Sequence, residues 1–192
     1  MHLRLPRRDE WPLVLAFATL FAISLLADGL LRAFDAVWVA RYVGIAGLLI
    51  IIGSFGYSLR KRNLIRFGRQ AQALRLHEAM AWTGSCLVLV HVGVHFNGVL
   101  GWLATAAMLL SVLSGLTGKY LVDHSRLRLE AAAARAQDRG LSAGQREESL
   151  YWDSLAFDVV KRWRVVHMPI TLAFSVLTAA HVTAIFLFWA WK

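Results

Sequence analysis

Long apolar stretches alternate along this chain with short, strongly basic ones. No residue from Trp11 to Ala27 carries a formal charge, and none does from Tyr42 to Leu59. A third charge-free stretch fills the whole interval between Glu78 and Lys119. As one helix it would be about 60 Å long, twice the hydrocarbon thickness of a bilayer, so it predicts two helices. Asn97-Gly98 and Gly101 supply the turn between them. A last apolar run opens at Val165 and closes near Trp189 and Trp191, a residue type that anchors helix ends at membrane interfaces. The pattern predicts an all-α integral membrane protein, one domain over 1–192. Its five transmembrane helices are expected at about 11–32, 42–59, 76–97, 101–122 and 165–189. A basic start before an apolar run also suits a signal peptide, but no small-x-small cleavage site follows, and a retained first helix is expected.

Between the fourth and fifth spans, over 123–164, the chain turns polar. EAAAARAQDRGLSAGQREE reads as a helical and then flexible, solvated excursion. In LYWDSLAFDVVKRW, Trp152, Leu155, Ala156, Val159, Val160 and Trp163 recur at helical spacing, which predicts an amphipathic helix lying in the membrane interface. The second span carries Gly44, Gly47, Gly53 and Gly56, small residues that let membrane helices approach closely.

Composition agrees with the pattern. The chain is 58% hydrophobic and 17% charged, where soluble domains are about half apolar and a quarter charged. The net charge of +9 would suit nucleic acid if it were gathered on a soluble domain. Instead the cations lie between apolar runs, where they orient helices and meet anionic lipid, so no nucleic-acid partner is expected. Three Lys or Arg precede the first span, six lie in 60–75 and nine in 119–164, against three in all the remaining segments. With five spans the rich segments share one side, which the positive-inside rule assigns to the cytoplasm. The expected setting is a bacterial inner membrane, with the N-terminus cytoplasmic and the C-terminus periplasmic. Helices three and five are then parallel.

Those two helices carry the candidate chemistry. His77 and His91 lie fourteen residues apart on the third, and His167 and His181 fourteen apart on the fifth. Fourteen residues advance a helix by about 21 Å and return to within about 40° of the same face. A lone histidine in a membrane helix most often serves as a hydrogen-bond partner to a neighbouring helix. Two matched pairs on parallel helices suit two irons, each held between two imidazoles. A zinc or copper site would need three or four ligands at one point. The single cysteine, Cys86, excludes a CxxCH attachment site, so any haem is held non-covalently. His95, one turn beyond His91, competes as the ligand opposite His181. Arg75, Arg162 and Arg164 sit at the depth of His77 and His167, where they suit haem propionates or lipid headgroups equally. Gly84 lies midway between His77 and His91, Glu78 adjoins His77, and Asp28 is an isolated acid in the first span, expected to snorkel to the interface.

At RLHE…LVLVHVGVH and RVVHMPITLAFSVLTAAHV the chain resembles the bis-histidine di-haem membrane cytochromes b. That broad group includes the ferric-reductase-like transmembrane domain shared with NADPH oxidases and the haem-carrying bundle of bc-complex cytochrome b. YSLRKR and LSGLTGKYL are similar to segments of small bacterial members. The resemblance covers about residues 40–190 and rests mainly on the four histidines. It implies two b haems stacked across the bilayer between helices three and five, with His77, His91, His167 and His181 as axial ligands. No dinucleotide-binding GxGxxG follows a strand, so a complete reductase in one chain is not expected. The function expected is transmembrane electron transfer as a subunit of a larger oxidoreductase complex. Its expected partners are a cytoplasmic flavoprotein or iron–sulfur protein and a periplasmic c-type cytochrome, with quinone able to replace either. The alternatives are a stand-alone reductase of ferric iron, quinone or oxygen, a non-redox membrane anchor or assembly factor, and a metal transporter or sensor.

Overall fold

A computed structural model describes residues 11–65, 68–94 and 98–188, and their side chains except those of 94, 121–123, 156, 159–161 and 164. The described chain is all helical: α1 (Trp11–Ala33), α2 (Val39–Ser54), α3 (Gly56–Lys61), α4 (Gln70–Val94), α5 (Val99–Asp138), α6 (Ala143–Lys161) and α7 (Arg164–Phe188). Four segments are long and apolar enough to cross a membrane: Trp11–Ala33, Val39–Lys61, Val99–Asp138 and Val165–Phe188. Their apolar side chains mostly face outward; Leu15, Leu25 and Leu172 are each more than 60% exposed. A water-soluble protein would bury such faces. This is a multi-pass membrane protein. At 25 residues α4 is as long as the spans, but His77, Glu78 and His91 dilute its hydropathy.

The elements arise from local chemistry. The second span breaks at Phe55, whose carbonyl takes the N–H groups of both Ser58 (2.8 Å) and Leu59 (3.2 Å). It ends where Asn63 adopts φ 57°, a left-handed conformation that Asn tolerates. The hydrophobic pattern ends the fourth span near 122 and predicts a partly flexible excursion beyond it; α5 instead continues to Asp138. Residues 124–138 contain neither Gly nor Pro, are rich in Ala, and pair Arg126 with Glu130 one turn on (2.8 Å). Forty residues make α5 about 60 Å long, so its second half projects well beyond a bilayer. Gly140, at φ 62°, then lets the chain reverse. α6 opens with a half capping box, Gln145 accepting the Ser142 N–H at 3.0 Å.

α6 runs back along α5 to make a helical hairpin. One residue of the apolar run expected in the membrane interface turns inward instead: Trp163, in the turn between α6 and α7, donates its indole N–H to the Ser114 carbonyl on α5 (2.7 Å). Tyr151 and Trp152, at 56% and 69%, stay exposed. Ala156, Val159 and Val160 of the same face lie outside the described side chains.

α4 lies antiparallel along α2, and α7 antiparallel along α5. α4 and α7 scarcely touch among the described residues, and they run parallel because α5 follows α4 as a hairpin and lies antiparallel to α7. α2 and α4 cross at Gly47 and Gly84: a Cβ added to either would lie 2.9 Å from the carbonyl oxygen of the other. Overpacking such a contact costs about 1–3 kcal/mol. α1 leans on α4 through Trp82, whose indole N–H reaches the Ala16 carbonyl (3.2 Å), and through Ser24, bonded to the Cys86 carbonyl (3.3 Å). The core joining the two helix pairs is Ile51, Ala107, Met108 and Phe174, flanked by Val88, Leu89 and Leu177. Phe174 is seven residues from both His167 and His181, so this apolar plug sits at mid-depth between the two histidine levels.

Candidate functional site

The break at Phe55 leaves the carbonyl of Ser54, the last residue of α2, facing α4. The Nδ1–H of His77 donates to it at 2.9 Å. One level along, the Nδ1–H of His91 donates to the Ala40 carbonyl at 3.2 Å. Gly44, one turn after Ala40, makes the second bond feasible, since a Cβ there would stand 2.5 Å from Cγ of His91. A carbonyl can only accept, so both rings carry a proton on Nδ1, and in the neutral form of each the lone pair lies on Nε2. Metal-ligating histidines are commonly prepared this way, with the second nitrogen tied to a carbonyl that sets tautomer and ring angle.

On the other side, His167 places Nδ1 3.2 Å from the Ser114 hydroxyl, and Thr171 Oγ1 lies 3.4 Å from its Nε2. Gly115 lies beside the ring, a Cβ there falling 3.6 Å from Cε1. His181 rests on Gly101, where a Cβ would lie 3.4 Å from Cε1 and 3.6 Å from Nδ1. All four imidazoles are half-buried. His77 and His167 lie toward one end of the antiparallel helix pairs, here the first level, and His91 and His181 toward the other, the second.

The fourteen-residue interval recurs on the supporting helices. Ala40 and Ser54, the two carbonyl acceptors, are fourteen apart, and so are Gly101 and Gly115, the two glycine seats. Antiparallel pairing converts a repeat on one helix into the same repeat on its partner, so both levels are built alike at the same axial separation of about 21 Å.

The first level also carries a link between α4 and α5, Lys119 Nζ to Glu78 at 2.6 Å. The second carries a clip to α1: Asp28 accepts from Arg32 Nε at 3.0 Å, and Arg32 Nη2 caps the Gly93 carbonyl in the last turn of α4 at 2.7 Å. Asp28 thus pairs within its own helix. Arg75 and Arg162 are exposed. His95 and the side chain of Arg164 lie outside the described residues, as do Trp189 and Trp191. Among the described residues no three His, Cys, Asp or Glu converge on a point. An iron in a macrocycle would bring its own four equatorial nitrogens and ask the protein for two axial ones, fewer than a bare metal ion requires.

No family model matches the chain. Neither a curated protein nor a solved structure is significantly similar to it.

Ser54, Ser114 and Lys119 do not stand out as site residues in the sequence, and Gly101, expected in the turn, lies inside α5 instead. The Gly101–Gly115 interval is legible there, since it repeats the spacing of the histidines. The Ser54 and Ala40 carbonyls are not, because main-chain acceptors leave no mark in a side-chain pattern.

Proposed function

We propose that this chain is a membrane cytochrome b that carries electrons across the bilayer through two non-covalently bound haems, as a subunit of a larger redox complex. The observation that supports it best is the fourteen-residue interval repeated on α2, α4, α5 and α7. Antiparallel packing carries the interval from α4 to α2 and from α7 to α5, but it requires no common period on α4 and α7, whereas two flat cofactors stacked at two depths do.

In this reading α4 is the fifth span. It lies along α2 over the full distance from Ser54 to Ala40, and α2 belongs to a segment apolar enough to cross. Five spans gather the basic segments on the cytoplasmic side of a bacterial inner membrane and leave the C-terminus outside. His77 and His167 hold the iron of the first level, and His91 and His181 that of the second; His95 remains the competing ligand there. Haem, when bound, supplies a one-electron iron couple. The protein's part is to hold four Nε2 atoms in place and keep water out with the Phe174 layer between the levels. Lys119, Arg75, Arg162 and Arg164 supply cations at the first level, where propionates would need them. A flavoprotein or iron–sulfur protein is proposed to dock on the basic face, with a c-type cytochrome opposite.

The hydrogen bonds from His77 and His91 to α2 also favour a second reading, in which the histidines only tie helices together in a non-redox anchor. A dithionite-reduced minus oxidised spectrum of the purified protein, with pyridine-haemochrome quantitation, separates the two. Electron transfer predicts about two low-spin b haems per chain, slow to bind carbon monoxide. A folded, haem-free protein from iron-replete cells leaves the anchor.

A further inference from the structure

Only Arg162 and Trp163 separate the end of α6 from the start of α7. A tryptophan beside a membrane span commonly anchors it, with the ring among the lipid headgroups. Trp163 does something else. It is half-buried, and its indole N–H is spent on the Ser114 carbonyl of α5 at 2.7 Å. Gly118, one turn further along α5, is the notch that admits the ring: a Cβ there would stand 2.6 Å from Cδ1 and 3.2 Å from Nε1 of the indole.

Three hydrogen-bond links close a ring through His167. Its main-chain N–H donates to the Trp163 carbonyl at 3.1 Å, its Nδ1 lies 3.2 Å from the Ser114 hydroxyl, and the Ser114 carbonyl holds the Trp163 indole. Thr105 and Thr117 of α5 turn their hydroxyls back to the carbonyl one turn earlier (2.8 and 2.7 Å). The buried Ser114 hydroxyl instead reaches across to α7. The turn that carries His167 needs such a tether. Pro169 lies inside α7 and has no N–H to give the Val165 carbonyl, so the first turn is bonded less firmly to the rest of its helix.

We propose that Trp163 is the positioning residue of the first level. Its latch on Ser114 and Gly118 fixes the proline-interrupted start of α7 to α5 and so sets the position and angle of the His167 ring. On α4 that task falls to main-chain carbonyls of α2. The consequence for haem rests on the di-haem reading; the latch itself does not.

The test uses the full chain in lipid nanodiscs. Trp163→Phe keeps an aromatic ring and deletes the N–H, while Gly118→Val fills the notch and displaces the indole. Trp82→Phe is the control, since it deletes a like bond, from indole to the Ala16 carbonyl (3.2 Å), between α1 and α4. The first-level haem is the one whose α-band component disappears in His167→Ala. Trp163→Phe and Gly118→Val should each speed its transfer to apomyoglobin by about tenfold, the lower end of the outer-sphere range. Each should also shift the low-spin electron paramagnetic resonance signal of that haem alone. The double variant should be no faster than either single, because both changes break one contact. Wild-type behaviour in Trp163→Phe, equal effects on both haems, additive rates in the double variant, or the same change in Trp82→Phe would each overturn the latch. If the chain holds no haem, nitrogen-15 spectra of labelled histidine decide instead. His167 signals that move in Trp163→Phe, with those of His77 unmoved, support the latch while removing the di-haem reading; unmoved His167 signals overturn it.

Discussion

The α2–α4 pair and the α5–α7 pair hold their histidines differently. In the first, both rings end on main-chain carbonyls, Ser54 and Ala40. In the second, His167 meets a serine hydroxyl, and His181 lies on Gly101 with no hydrogen bond described. A carbonyl fixes both the tautomer and the ring angle, and no side-chain substitution removes it. A hydroxyl can donate or accept and rotates, and a glycine offers only space. The α4 rings are therefore preset by the fold, and the α7 rings are held by neighbours that mutation can change.

That contrast can be broken first at Gly44. Gly44→Val drives a branched side chain into His91, whose Cγ would be 2.5 Å from the new Cβ. Overpacking of this kind costs about 1–3 kcal/mol and moves the ring off Ala40. The expected result is loss of one of the two haems, that of the second level, read as a halved pyridine-haemochrome yield; an unchanged yield would show that His91 is not the ligand. Next comes Ser114→Ala. It removes the partner of His167 Nδ1, and outer-sphere changes of this type weaken metal holding by about 10–100-fold. Haem transfer to apomyoglobin should speed up accordingly, for the first-level haem alone.

Gly101→Ala should do less. Its Cβ would sit 3.4 Å from His181, an ordinary contact, so a shift of at most a few-fold in the same transfer rate is expected. Glu78→Gln should do least. The Glu78–Lys119 pair is about one-third exposed, and such pairs contribute up to about 1 kcal/mol. Thermal unfolding should move by only a few degrees, with haem content unchanged.

How far the sequence is readable depends on what kind of atom does each job. The apolar runs announce the first span almost to the residue, because charge-free length is a side-chain property. The histidine interval is a side-chain property too, and the structure seats each of the four rings against a neighbouring helix. The continuation of α5 is masked by its polarity: Ala, Arg and Glu over 124–138 form good helix but resemble a solvated excursion when hydropathy is the guide. The break at Phe55 has no Gly or Pro to mark it at that position, and yet it turns the Ser54 carbonyl toward His77. Asp28 looks like an isolated acid until folding brings Gly93 within reach of Arg32, its partner one turn on.

The central claim is that each level is closed by one histidine from α4 and one from α7. Spectral resolution of haem loss across the four single variants tests it directly. His77→Ala and His167→Ala should lose the same α-band component, and His91→Ala and His181→Ala the other, each retaining about half the wild-type haem. Loss of one component by His77→Ala and of the other by His167→Ala, or a wild-type protein without haem, would contradict it.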